Sequence, residues 1–178
     1  MQQQVLTFWF HETDPKAWWA SDPAFDAQIK RRFGDLLTQA AQGELYAWRQ
    51  SAQGRLAEII VLDQFSRNVY RDTPAAFAQD PMALALAQEA VAAGVHAQLP
   101  EMERVFLLLP YMHSESKLIH AQAELLFRDF APANNYEFER KHKAIIDRFG
   151  RYPHRNTIVG RASTAEEVEF LKQPGSRF

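Results

Sequence analysis

The tripeptide His113-Ser114-Glu115 sets an imidazole two residues from a carboxylate. These are the side chains from which acid–base catalysis is most often built: a histidine that exchanges a proton near neutrality, beside a group that orients it or serves as the base. Further along, the run Arg148-Phe149-Gly150-Arg151-Tyr152-Pro153-His154-Arg155-Asn156 is followed by Gly160-Arg161, so that Arg148, Arg151, Arg155 and Arg161 fall close together with His154 and Asn156 among them. Guanidinium forks take carboxylate or phosphate bidentately, which makes the segment a candidate anion clamp, with His154 as a possible proton donor. The alternative is that these arginines neutralise Glu115, Asp63 and helix C-terminal carbonyls. No Gly-rich phosphate loop of recognised spacing accompanies them.

A second polar group comprises Asp63, Gln64, Arg67, Asn68 and Arg71. On a regular helix these lie within an arc of about 140°, with Leu62, Phe65 and Val69 opposite. Leu56 and Ile60 precede them on the same side, so the polar residues extend a buried stripe, as a pocket wall would; a solvated face with an ordinary Asp63–Arg67 pair is the other reading. On a helix capped by Ser114, Glu115 and Gln122 fall in the middle of the stripe made by Leu118, Ile119, Leu125 and Leu126. A carboxylate there has to be paired or face a wet cavity, because an unpaired buried charge is costly. His142 interrupts an apolar face of Phe138, Ile145 and Phe149, either as a satisfied core histidine or as a ligand contact. Trp9, Trp18, Trp19 and Trp48 are expected to pack. No metal is expected: there is no His-Glu-x-x-His, and His113 and Glu115 would not share a helical face.

The elements that must position these groups are helices. Asp22-Pro23 opens one whose apolar residues, Phe25, Ile29, Phe33, Leu36, Leu37 and Ala40, recur at three and four residues up to Gly43. A second, from near Gln53 to about Tyr70, is too apolar around Leu56–Leu62 for the surface and is expected to be central. Asp80-Pro81 repeats the cap-plus-proline start for a helix to Gly94, and Pro100 opens another in which Pro110 must kink or end the run. Ser114 caps the next, Asn134 or Asn135 the one after, and Ser163-Thr164 with Glu166-Glu167 forms a capping box for the last.

Composition agrees with that pattern. The 178 residues are 47% hydrophobic and contain only seven glycines, enough apolar mass for one core in one domain. Lys+Arg 20 against Asp+Glu 22 offers no general attraction to nucleic acid or anionic lipid, so neither is an expected partner. The absence of cysteine excludes disulfides, thiolate nucleophiles and Cys-ligated metal. Met1 to Val5 lacks the succession of a secretory signal and no stretch is long and apolar enough to span a bilayer, so a cytoplasmic location is expected.

The strings Phe8-Trp9-Phe10, Leu62-Asp63-Gln64-Phe65-Ser66-Arg67-Asn68, Leu109-Pro110-Tyr111-Met112-His113-Ser114-Glu115 and Arg148 through Asn156 resemble, in order and spacing, those of an uncharacterised bacterial family, the domain-of-unknown-function family 924. The likeness covers nearly the whole chain, with Ser66 where proline is frequent and Tyr152 where phenylalanine is. It implies a tetratricopeptide-like superhelical fold and implies no activity.

The expectation is therefore an all-α domain over residues 1–178, with antiparallel pairs among about seven helices. Its arginine-lined pocket binds an anionic small molecule or an acidic peptide through Asp63, Gln64, Arg67, Asn68, Arg71, Gln122, His142, Arg151, Arg155, Asn156 and Arg161, with no cofactor. A competing reading is a hydrolase or proton-transfer enzyme using His113 or Glu115 as base and His154 as acid. A third is a structural polar core that meets partners on its outer surface.

Overall fold

Asp22 accepts the N–H of Ala24 at 2.8 Å and Pro23 fills the first helical position, so the first long helix starts where its sequence places it. All six apolar residues read from its periodicity are buried. The computed structural model describes residues 1–177; the expected domain also took in Phe178, which lies outside them. Over the described residues the chain forms helices and turns and no strand. The helices are α1 (Gln2–Thr7, continued by a π-helical turn Phe8–Glu12), α2 (Pro23–Ala41), α3 (52–69), α4 (Asp80–Ala92), α5 (Glu101–Met112), α6 (Lys117–Phe130), α7 (Ala133–Phe149) and α8 (Ala165–Phe170). That is one more than expected, the extra being the short N-terminal α1. None of them is long and apolar enough to cross a membrane.

Helix α3 is central. It is capped by Ser51, whose hydroxyl takes the N–H of Gly54, and it runs as an α segment Ala52–Ile60, a π-helical turn Val61–Phe65 and a closing turn Ser66–Val69. Gly54 has no room for a side chain, since a Cβ would lie 2.0 Å from the carbonyl oxygen of Trp48. Around α3 an aromatic core joins α1, α2 and α5: Phe8 meets Phe33 with ring centroids 5.1 Å apart, and Trp9 meets Phe65 and Phe106, each at 5.6 Å. Helices α5, α6 and α7 then pack on one another in chain order, folded back by short connections. A smaller cluster of Ile145, Ile146 and Tyr152, with Phe149 and Phe170 against it, carries the chain to α8.

Three local expectations are corrected. Helix α6 is capped by Ser116, which accepts from Ile119 N, while Ser114 takes the N–H of Ser116; Glu115 therefore lies in the α5–α6 loop and not on a helix. The buried face of α6 is His120, Ala123 and Phe127, which leaves Leu118 and Leu125 exposed and Gln122 at the surface. On α7 the buried residues are Asn135, Glu139, His142, Ile145 and Ile146, with Phe138 exposed and Pro132 preceding the helix in place of a capping asparagine. Of the two outcomes expected at Pro110, the ending of the helix does not occur: α5 runs two residues past it. At the C-terminus the Thr164–Glu167 capping box forms as read.

Candidate functional site

The π-helical turn places Asp63 wholly inside the protein, where an isolated carboxylate would be intolerable. Three donors surround it. Gln64 Nε2 lies 2.6 Å from Oδ2, His113 Nδ1 2.8 Å from Oδ1, and Arg67 approaches Oδ1 at 3.1 Å while also donating to the Asp63 carbonyl at 2.7 Å. Burial pushes the Asp63 carboxyl up, but the charge of Arg67 and the interactions with His113 and Gln64 outweigh it and hold the group well below the usual carboxylate range. A carboxylate only accepts, so His113 carries its proton on Nδ1 and keeps the Nε2 lone pair. No described residue hydrogen-bonds that Nε2, and the side chain is 16% exposed. Burial and Arg67 lower the histidine's affinity for a second proton, with Asp63 and Asp80 opposing them.

The loop bearing His113 is held at every residue. Tyr152 donates its hydroxyl to the Met112 carbonyl, Arg155 donates to the His113 carbonyl at 3.0 Å, and His120 Nε2 reaches the Ser114 carbonyl at 2.8 Å. Glu115 accepts both arms of Arg161, at 2.6 and 2.8 Å, and the N–H of Tyr152 at 2.7 Å. Burial raises the Glu115 carboxyl, and Arg161 and the Tyr152 N–H more than offset this, so it stays ionised as a clamp. A further arm closes the ring: Asp80, the first residue of α4, takes both arms of Arg67 at 3.0 and 3.1 Å and Arg155 at 3.2 Å. The sequence reading gave Asp80 the role of helix cap; instead Gln79 precedes α4 without a side-chain cap and the carboxylate serves the two arginines.

The expected site residues thus divide. Asp63, Gln64, Arg67, His113, Glu115, Arg155 and Arg161 form one connected network. Asn68 and Arg71, one turn on, face α2 and bind Asp26 at 2.7 Å and at 2.6 and 2.8 Å. Arg151 pairs with Glu167, whose carboxyl is pulled down to about 2 chiefly by that arginine, and Asn156 donates to Glu167 and Ser163. His142 contacts the Phe138 carbonyl at 2.7 Å, and the His142 and His154 rings lie 5.8 and 5.6 Å from that of Tyr152. Gln122 is remote, on the exposed face of α6. Two surface hollows, of about 450 Å³ beside Glu12 and Arg32 and about 230 Å³ beside Leu37 and Tyr70, are lined by none of the network residues.

Sequence reasoning missed Asp80, Tyr152 and the buried pair His120–Glu139, in which Nδ1 lies 2.7 Å from the carboxyl and both side chains are inaccessible. Tyr152 could have been found as the one aromatic with a polar end inside the arginine run. The pair could not, since each member reads as an ordinary helical residue until α6 and α7 are known to touch.

Burial of the histidines makes stability fall in mild acid. Burial pushes His142 down to about 3 and His154 to about 4, from an ordinary 6.5. Between those values the unfolded chain binds protons that the folded chain refuses, so the stabilisation is complete above 6.5 and is lost as pH falls through the folded values. At pH 5 the loss from His142 alone is about 2 kcal/mol. Urea midpoints measured at pH 7.5 and 5 in the unsubstituted protein and in His142→Gln should show the acid loss smaller in the variant by about that amount; a pH dependence unchanged by His142→Gln would contradict the burial argument.

An all-helical domain with a buried ion-pair network locking its α5–α6 loop is the class that this geometry defines. The chain belongs to the DUF924 family of bacterial proteins of unknown function, whose profile matches residues 5–175. It is similar in structure to a protein of unknown function from Agrobacterium tumefaciens, ATU0120, with a TM-score of 0.91, 36% sequence identity and 96% of each chain covered. No curated protein matches it.

Proposed function

We propose that this chain is a proton-transfer catalyst in which His113 is the base and Asp63 orients it. The observation that carries the reading is the clamped loop: residues 112–115 are each fixed by another part of the chain, yet His113 Nε2 is left at the solvent edge without a hydrogen bond to any described residue. A network serving stability alone has no need to leave that nitrogen unused. Catalytic groups, by contrast, have to be held within a fraction of an ångström by packing and hydrogen bonds. The chemistry follows from the charges. The imidazole is neutral beforehand, accepts a proton at Nε2 from a substrate C–H, O–H or an attacking water, and becomes an imidazolium paired with the Asp63 carboxylate, which stays ionised. Glu115, Arg155 and Arg161 act as positioning residues. The sequence-based expectation of a cytoplasmic location is kept as part of this proposal.

The test is a metabolite extract incubated with purified protein in D₂O, read by NMR for deuterium entering C–H positions and by mass for added water. Turnover that survives Glu115→Gln in some measure but vanishes in His113→Gln is expected, because a positioned base contributes about 10²–10⁴-fold. Equal turnover by the unsubstituted protein and His113→Gln, or saturable binding with no product, would remove His113 from the role.

A further inference from the structure

Two guanidiniums from distant parts of the chain, Arg67 on α3 and Arg155 in the segment after α7, meet at one carboxylate, and that carboxylate belongs to the protein itself. Asp80 offers one oxygen to Arg67 and shares the other between both arginines. Its side chain is 17% exposed, whereas that of Arg155 is only 9% exposed. Neither arginine depends on Asp80 for its place. Arg67 is tied to the carbonyl and carboxylate of Asp63, and Arg155 to the His113 carbonyl, with its guanidinium 4.5 Å from the ring of Phe77 and 4.7 Å from that of Tyr152. Arg155 Nε is in addition buried without a hydrogen-bond partner among the described residues.

The charges make the same point. Asp63 balances Arg67, so with Asp80 withdrawn Arg155 leaves one positive charge uncompensated at the His113 carbonyl. Asp80 has somewhere to go, because it stands in the first turn of α4, where negative charge is favoured and no side chain caps the helix.

We propose that the Arg67–Arg155 pair is a seat for the carboxylate of a small-molecule ligand and that Asp80 is its internal stand-in, displaced when the ligand arrives. A carboxylate seated there lies next to His113, since Arg155 holds the His113 carbonyl and Arg67 shares Asp63 with its ring. In its catalytic sense the inference rests on the base proposed above and names the substrate as a small carboxylate; as a binding site it stands without that reading.

Malonate is the probe and inorganic phosphate the tetrahedral comparison, both titrated calorimetrically at low salt. Asp80→Asn should bind malonate at least about tenfold more tightly than the unsubstituted protein, and the gain should vanish in Asp80→Asn/Arg155→Gln. An affinity for malonate unchanged by Asp80→Asn overturns the proposal, and a preference for phosphate overturns its carboxylate assignment. If Asp80→Asn does not fold, the decision passes to the unsubstituted protein. Malonate should then shift the Nε resonances of Arg67 and Arg155, and their constancy up to about 50 mM malonate, about fifty times a millimolar Kd, overturns it. None of these readouts involves turnover, so loss of the seat and loss of the His113 base are separate results.

Discussion

Replacing Asp63 with alanine is expected to lower the unfolding free energy by about 3–5 kcal/mol, the range for breaking a buried ion pair from one side. The group removed is wholly buried and accepts from Gln64, His113 and Arg67 together. What remains is a guanidinium with Asp80 as its sole counter-ion among the described residues, an imidazole N–H without its acceptor, and a void at the widest turn of the central helix. Asp63→Asn keeps the volume and one acceptor oxygen, so its cost should be nearer 1–3 kcal/mol, about that of one charge-assisted hydrogen bond. Urea unfolding with an unchanged m-value is the measurement. A loss below about 1 kcal/mol for the alanine variant would mean that Arg67 and His113 find other partners, and the orientation of His113 by Asp63 would then fail as a description of the site.

Helix α2 shows why some of this was legible. Its buried residues recur at one period, its start is marked by Asp22-Pro23, and nothing polar competes for the face, so every core position could be read. Helix α6 carries apolar residues on more than one side: Ala123 and Phe127, with Ile119 and Leu126, pack on the core, whereas Leu118 and Leu125 face solvent. The buried stripe contains a histidine, which is tolerable only because Glu139 on α7 meets it, and that contact joins residues nineteen apart. Local chemistry also lost at Asp80, where a good capping signal gave way to two arginines thirteen and seventy-five residues away. The π-helical turn is likewise silent in the sequence: it widens α3 just where Asp63 and Gln64 turn inward, whereas Asn68 and Arg71 beyond it face α2. What the sequence did carry is that Glu115 has to be paired, most simply by an arginine, or face a wet cavity. Arg161 supplies that pairing, although from a loop position and not from a core stripe.

The buried pair His120–Glu139 yields the other large effect and a decision about where its proton resides. Removing the imidazole in His120→Ala should cost about 3–5 kcal/mol, because it strands the Glu139 carboxyl, the Ser114 carbonyl and a fixing contact of Tyr152 at once. The proton's position follows from the acceptors. Nε2 faces the Ser114 carbonyl, and the Tyr152 hydroxyl has already given its hydrogen to Met112, so Nε2 must donate. Nδ1 therefore either donates to an ionised Glu139 or accepts from a protonated one. Burial raises the Glu139 carboxyl despite His120, and Oε2 is buried with no hydrogen-bond partner among the described residues, an expensive position for a shared negative charge. The neutral arrangement, acid donating to imidazole, is the one these facts favour. Glu139→Gln, which can still donate to Nδ1, should then cost less than about 1 kcal/mol, whereas an ion pair would lose about 3–5 kcal/mol. The pH dependence carries the same sign. A raised folded value means stability that is complete below 4.5 and declines as pH rises through the folded value, so Glu139→Gln should gain on the unsubstituted protein across that interval. His120→Leu/Glu139→Leu should be more stable than His120→Ala, because it no longer strands the Glu139 carboxyl, while the Ser114 carbonyl still loses its donor and keeps part of the cost.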